Sequence, residues 1–357
     1  MEQTQEERAV TTSSAQTVEG ALTRSSNKIL PSLGIILVTG GLFVLGWLAY
    51  LGLKPEPAPY RYQLIEEGGV GKFTNLGLEA WPDLKIGKYE VRVESVDKPI
   101  AVVYRAMGND TLPVLLSWEN HISEPVGFVD SNLSDLTTVS RELAKHVPKG
   151  AVVIAWWDTS RQVRLFAGCD TLFTSHLGEP IIAPSQWKGR NSAIKKYEQE
   201  FWGASPQEGE SRTFQRFADA LTADSEKGTA ILRELAGTRE AYVVVHVSDL
   251  YKLGLMRPER LDMAFKDFPL TGNVHGLAAQ VKGWMTSKEY ESYTLQSLSE
   301  RMVRAYFIRD NKIGKTLLSQ MLPFMDRTPF ELQALKPIYN HGGYWVYKIP
   351  PVQPLSN

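Results

Sequence analysis

The sequence is poor in the groups that announce the commonest chemistries. It holds one cysteine, Cys169. An internal disulfide is therefore impossible, no CxxCH attaches haem, and no CxxC pair offers zinc two thiolates. Cys169 reads as a small buried residue; a reactive thiol would need a depressed pKa. The six histidines are His121, His146, His176, His246, His275 and His341. None stands four residues from another and none falls in HExxH, so the helical zinc motifs are excluded. GxSxG, and with it a nucleophile elbow, is missing. Gly68-Gly69-Val70-Gly71-Lys72-Phe73-Thr74 superficially suggests a phosphate loop. It fails because Glu66 stands where the first glycine belongs and Phe73 where the magnesium-binding hydroxyl must follow the lysine. The formal net charge of −1 supplies no field to gather nucleic acid or an anionic surface. Internal repeats are lacking too. No cofactor is expected.

What is present begins with an uncharged stretch from Ile29 to Leu53, bracketed by Lys28 and Lys54. As a helix of 25 residues it reaches roughly 37 Å, enough to cross a hydrocarbon core of about 30 Å with some tilt. Trp47 and Tyr50 sit near its distal end, where amphipathic rings favour the interface. The run is too long for a signal-peptide core, and bulky Tyr50-Leu51-Gly52-Leu53 stands where a small-residue exit would be. An uncleaved anchor is the expectation. Its glycines make no GxxxG spacing, so no helix-pairing motif is read. Arg8, Arg24 and Lys28 precede the span, and Lys54 and Arg61 follow it. This slight bias favours a short tail inside and the large domain outside. For a bacterium that means a single-pass inner-membrane protein with its soluble domain in the periplasm.

The expected organisation is a disordered Ser/Thr/Gln/Glu-rich tail (1–28), a transmembrane helix (29–53) and a proline-stiffened linker (54–60). A β-rich subdomain (61–130) and an α/β domain (131–357) follow. With 43% apolar and 22% charged residues, the soluble part can bury its own core. Alternation in Tyr89–Glu94 and short apolar runs at Ile100–Tyr104 and Pro113–Leu116 read as strands. Leu133, Leu136, Val139, Leu143 and Val147 keep a helical period that ends at Pro148-Lys149-Gly150. Ala151–Trp156 and Ala241–Val247 read as buried strands. Helices fit Arg161–Gly168, Thr213–Leu221 with Ser211 as cap, Thr229–Leu235 stopped by Gly237, and Ile313–Leu322. Strands fit Val303–Ile308 and Tyr344–Ile349. The fold class is α/β: one N-terminal transmembrane helix, a β-rich segment, then a mixed, mostly parallel sheet flanked by helices.

In parallel α/β sheets ligands gather at the carboxyl ends of strands. Trp156-Trp157-Asp158-Thr159-Ser160-Arg161 and Ser248-Asp249-Leu250-Tyr251-Lys252 both fall there. Two tryptophans can wall a pocket, and a carboxylate can accept from a hydroxyl or amide. The candidate binding residues are Trp156, Trp157, Asp158, Arg161, Asp249 and Lys252. The plainer reading makes one tryptophan core and each aspartate a helix cap. An enzyme using Asp158, His176 and Asp249 is a third possibility that nothing in the spacing demands.

Trp156-Trp157-Asp158 after an apolar strand resembles the WWDYG motif of the catalytic subunit of oligosaccharyltransferase, with Thr159 and Ser160 in place of Tyr and Gly. Asp170-Thr171-Leu172, Tyr242–Lys252, Leu298–Phe307 and Tyr344–Ile349 are also similar to that family's C-terminal soluble domain. That likeness implies a fold and, as an alternative function, a peptide- or glycan-binding module whose Trp156, Trp157 and Asp158 meet an acceptor hydroxyl. That family's catalytic acids lie in a many-helix membrane domain, and this chain shows one span. A longer resemblance is to the hydroxylamine oxidation protein HaoB family. It rests on Ala155–Gln162, Ser175–Pro180, Asp249–Pro258 and His341–Lys348. It implies a non-catalytic accessory protein of bacterial hydroxylamine oxidation and nitrification that anchors or assists a periplasmic multihaem hydroxylamine oxidoreductase.

Overall fold

A computed structural model describes residues 29–53, 56–107, 112–122, 124–203, 206–270, 274–326 and 329–351. The expected tail (1–28) and the first two linker residues lie outside these. The described residues fall into two units, divided between residues 55 and 56.

The first unit contains α1 (Ile29–Leu53), which coincides with the uncharged run. Within it, Ser32–Gly52 is long and apolar enough to cross a membrane, and its side chains are exposed within the chain. The Thr39 hydroxyl donates to the Ile35 carbonyl, so this polar group is satisfied within the helix itself, as lipid surroundings would require.

The second unit opens with β1 (Arg61–Gly69), β2 (Lys85–Arg92), β3 (Ala101–Met107) and β4 (Val114–Asn120), an antiparallel sheet in sequential order. Next come α2 (Leu133–His146), β5 (Val152–Ile154), α3 (Trp157–Ala167), β6 (Asp170–Thr171), α4 (Asn191–Phe201), α5 (Glu210–Thr222), α6 (Ser225–Ala236), β7 (Ala241–His246) and α7 (Asp249–Met256). After these stand β8 (Met263–Pro269), α8 (Val274–Ser287), β9 (Ser292–Ser299), β10 (Met302–Ile308), α9 (Asn311–Gly314), α10 (Leu317–Met321), β11 (Lys336–His341) and β12 (Tyr344–Ile349).

The central sheet has the order β11-β12-β7-β5-β6. Its hydrophobic runs are long because both faces are covered. Val152, Ile154, Val243 and Val245 face one core, with Phe214, Phe217, Leu221 and Leu232 of α5 and α6. Val153, Tyr242 and Val244 face the other, with Leu136, Val139 and Leu143 of α2 and Val163 and Phe166 of α3. β8, β10 and β9 make a third, antiparallel sheet, whose Val303, Ala305 and Phe307 pack on Leu277 and Val281 of α8.

The α/β class with its apolar N-terminal helix, early β-rich segment and later mixed sheet is as expected. The parallel character is narrower than the alternation suggested. Among the described residues it is confined to β5 with β6 and β5 with β7, because β12 returns as a hairpin partner of β11 and lies antiparallel to β7. Helix starts also differ. α3 begins at Trp157 rather than Arg161, and α5 at Glu210, with Gly209 at its N-cap in place of Ser211. The expected helix over Ile313–Leu322 is two short ones. Asp310 accepts from the Ile313 amide at 2.9 Å, and Thr316 opens a second start by accepting from Ser319.

Candidate functional site

β5 and β7 are parallel neighbours in register Val152↔Ala241, Val153↔Tyr242 and Ile154↔Val243. Their carboxyl ends therefore emerge side by side, and the two segments singled out in the sequence meet. Asp158 is the second residue of α3 and Asp249 the first of α7, so both carboxylates sit at the positive ends of helices. Lys252, three residues after Asp249, lies on the same helix face. Its ammonium is 3.0 Å from Asp158 Oδ2, 3.3 Å from Asp158 Oδ1 and 3.2 Å from Asp249 Oδ1. It also stands 5.4 Å from the centroid of the Trp156 ring.

This triad is interior. The side chains of Asp158, Lys252 and Asp249 keep 11%, 9% and 2% of their exposure, so water screens little of their interaction. The carboxylates have further donors. Thr159 N–H reaches Asp158 Oδ1 at 2.7 Å, and His246 N–H reaches Asp249 Oδ2 at 2.9 Å. Neither aspartate is the N-cap of its helix; Trp156 and Ser248 hold those positions without side-chain capping bonds. Burial pushes Asp249 above the usual carboxylate range, against the pull of Lys252. Burial also disfavours the Lys252 ammonium, but the attraction of Asp158 and Asp249 outweighs it and raises Lys252. His246 is pushed down to about 3 by burial and by the Lys252 charge. Its Nδ1 shares a 2.7 Å hydrogen bond with Ser248 Oγ, and its ring lies 4.3 Å from Tyr344 of β12.

Trp156 and Trp157 diverge from this point. Trp156 packs edge-on against Phe214 at 5.1 Å in the core under α5. Trp157 donates to the Glu179 carbonyl at 2.5 Å and lies 4.4 Å from the His176 ring. Both indoles are buried. Arg161, one turn along α3, points away from the triad. It donates to the Pro113 carbonyl and lines a separate cavity with Arg164 and Glu210. The structure thus joins Trp156, Asp158, Asp249 and Lys252 and leaves Trp157 and Arg161 on other faces.

A second buried polar cluster carries no sequence motif. Glu198 of α4 accepts from Tyr60 at 2.5 Å, Tyr62 at 2.6 Å and Trp202 Nε1 at 2.8 Å. Burial raises its carboxyl pKa, and those three donors pull it back only in part. His176 Nε2 is 3.8 Å from Glu198 Oε2, and both its ring nitrogens are buried without a hydrogen-bond partner. Burial, with repulsion from Arg161, holds His176 well below the usual histidine range. The faintest advance signal for this cluster is the aromatic crowding of Tyr60, Tyr62, Tyr197, Phe201 and Trp202. Burial and Asp170 push the Cys169 thiol up, away from a thiolate. Among the described residues no group of three His, Cys, Asp or Glu is placed to hold a metal ion.

The chain thus combines an apolar helix long enough to cross a membrane with an α/β unit whose strand ends are joined by a buried ion triad. Residues 26–349 match the model of the family described as HaoA-associated protein HaoB, and the chain belongs to that family. That membership places it among proteins associated with hydroxylamine oxidation. No curated protein matches its sequence. Among solved structures, it is similar to the C-terminal domain of PglB from C. jejuni. The identity is 12%, the match covers 60% of this chain and 99% of that one, and the TM-score is 0.35. It is also similar to the C-terminal globular domain of the oligosaccharyltransferase AglB-S2 from Archaeoglobus fulgidus, at 13% identity, 60% and 97% coverage and a TM-score of 0.29. Scores at this level carry no argument about activity.

Proposed function

We propose that this protein is a membrane-tethered, non-catalytic accessory of hydroxylamine oxidation that holds a HaoA-type multihaem oxidoreductase at the periplasmic face of the bacterial inner membrane. The observation that carries the reading is the match to the HaoA-associated family over residues 26–349. Two features support it. α1 is long and apolar enough to serve as a tether. With one cysteine and no CxxCH, the chain has no covalent haem site of its own, so electron transfer would fall to the partner.

In this reading Asp158, Lys252, Asp249 and Trp156 form an internal joint that fixes the loops after β5 and β7, and the partner meets the surface those loops support. The peptide- or glycan-binding alternative needs Asp158 to accept from a ligand hydroxyl. Its carboxylate is already engaged by Lys252 and by the Thr159 amide, so a ligand hydroxyl would compete with partners already in place.

The test is affinity purification of the full-length, tagged protein from detergent-solubilised native membranes, with partners identified by mass spectrometry and haem absorbance. The expected result is co-elution of a multihaem oxidoreductase whose recovery survives moderate salt. A solitary protein, even after chemical cross-linking in intact membranes, would refute the role. Extraction of the membranes with alkaline carbonate tests the tether: the protein should stay in the pellet, and release into the supernatant would show that α1 is not retained as an anchor.

A further inference from the structure

Arg161 is 5% exposed, yet among the described residues its guanidinium has one hydrogen-bond acceptor, the neutral Pro113 carbonyl, and no carboxylate within ion-pair distance. A full charge on a side chain this buried is thus left without an ion-pair partner, an arrangement that folding alone disfavours. Burial drags Arg161 down to about 10; the attraction of Asp158 and Glu210 offsets that only in part, and nearby Arg105 adds a smaller repulsion. Arg105 itself has no carboxylate partner among the described residues; it stacks on Phe201 at 4.5 Å and leaves its buried Nε unpaired.

Arg161 lines a cavity of about 710 Å³, within the usual size of small-ligand sites. Arg164 stands at its rim, and one wall is apolar, from Leu112, Val114, Leu165 and Leu172. Glu210 also lines it, but its carboxylate faces backbone donors: Thr174 N–H at 2.6 Å, Ser175 N–H at 3.1 Å and Gln207 N–H at 3.3 Å. Two arginines against Glu208 and Glu210 make the lining formally neutral before a ligand enters. That balance favours a monoanion over a polyanion, and the apolar wall favours a ligand with a hydrocarbon body.

We propose that this cavity binds a monoanionic carboxylate with a short apolar body, its carboxylate held by Arg161 and Arg164 and its body against Leu112, Val114, Leu165 and Leu172. Such a group occurs in free short-chain acids and at the C-terminus of a peptide ending in an aliphatic residue. Guanidinium and carboxylate match as forked donors and acceptors, and a partly buried pair of this kind is the strong form of the contact.

The experiment is isothermal titration of the full-length protein in nonionic detergent with hexanoate, N-acetyl-alanyl-leucine and the amide of each. The acids should bind saturably, and the amides at least about 10-fold more weakly, because the charge-assisted bonds are lost. Binding of hexanoate identifies a free-acid site; binding of the peptide acid alone identifies a C-terminus reader. Arg161→Met should abolish the acid preference. Arg164→Gln, at an exposed position, should weaken acid binding about 3-fold and serves if Arg161→Met does not fold. Equal binding of acid and amide, retention of the preference in Arg161→Met, or no saturable binding by either acid up to about 10 mM would overturn the proposal.

Discussion

Replacing Lys252 with methionine isolates the electrostatics of the triad. Methionine keeps the unbranched stem and most of the volume, so packing against Trp156 changes little. The ammonium, however, compensates two carboxylates, at 3.0 and 3.2 Å, both nearly sealed from water. Removing one partner of a buried ion pair costs about 3–5 kcal/mol, mostly from the charge left behind. Here two like charges remain, so the upper half of that range is expected, relieved as Asp249 takes up a proton. The assay is urea unfolding of the full-length protein in detergent at neutral pH, followed by tryptophan fluorescence. With a slope of roughly 3 kcal/mol per molar, a loss of about 4 kcal/mol moves the midpoint down by more than about 1 M. The same substitution combined with Asp158→Asn and Asp249→Asn removes the stranded charges and should recover at least half of the loss. A single variant that unfolds within about 1 kcal/mol of wild type, or a triple variant no better than the single, would refute the account of Lys252 as the compensating charge.

Other perturbations have equally definite outcomes. Glu198→Leu strands the hydroxyls of Tyr60 and Tyr62 and the Trp202 indole N–H, and should cost at least about 3 kcal/mol in the same assay, whereas Glu198→Gln, which keeps an acceptor oxygen, should cost about half as much. His176 and His246 have folded pKa values depressed by burial, so their stabilising share is present above the unfolded value near 6.5 and is lost as pH falls below it. Each adds a slope of about 1.4 kcal/mol per pH unit below pH 6, and His176→Phe should remove one of the two in unfolding curves taken from pH 7 to 5. Lys252, raised in the fold, contributes stability that is whole below about 10.5 and declines as pH climbs through the folded value; that alkaline loss should be missing from Lys252→Met, and an identical alkaline limb in both proteins would count against it. Gly342 has φ +56° and an added Cβ would lie 2.1 Å from Asp135 Cγ, so Gly342→Ala should destabilise by more than about 2 kcal/mol and loosen the β11–β12 turn, read by hydrogen exchange.

Much of the fold was legible because its signals are local. α1 is an uncharged run, and β7 is a string of β-branched residues too apolar to alternate. α2 carries a helical stripe with Asn132 accepting from Ser134 at its start. The orientation of β12 was not legible, since antiparallel pairing with β7 is decided by a hairpin at Gly342-Gly343 rather than by anything in Tyr344–Ile349 itself. The site shows the same division. Asp158 and Asp249 stand out in sequence because each follows a buried strand, but their shared ammonium comes from a register that pairs strands far apart in the chain. Glu198 itself gave no sign: its helix is otherwise charged on that stretch, and two of its three donors, Tyr60 and Tyr62, precede it by 138 and 136 residues. The special feature of Arg161 is that, among the described residues, no carboxylate comes within ion-pair distance of it, which no residue pattern can display.

The seating of β12 has a consequence for how the protein comes into being. β7 is buried along its whole length, and one of its two neighbours in the sheet is β12, the last strand among the described residues. During synthesis β7 emerges, folds against β5 and then waits with a bare apolar edge until β8, β9, β10 and the β11 hairpin arm have all been made. An open edge of that kind is an adhesive surface for other chains. Closure of the central sheet is thus a late event in the life of each new molecule, and a chain stalled or clipped before Tyr344 is left with its stickiest strand uncovered.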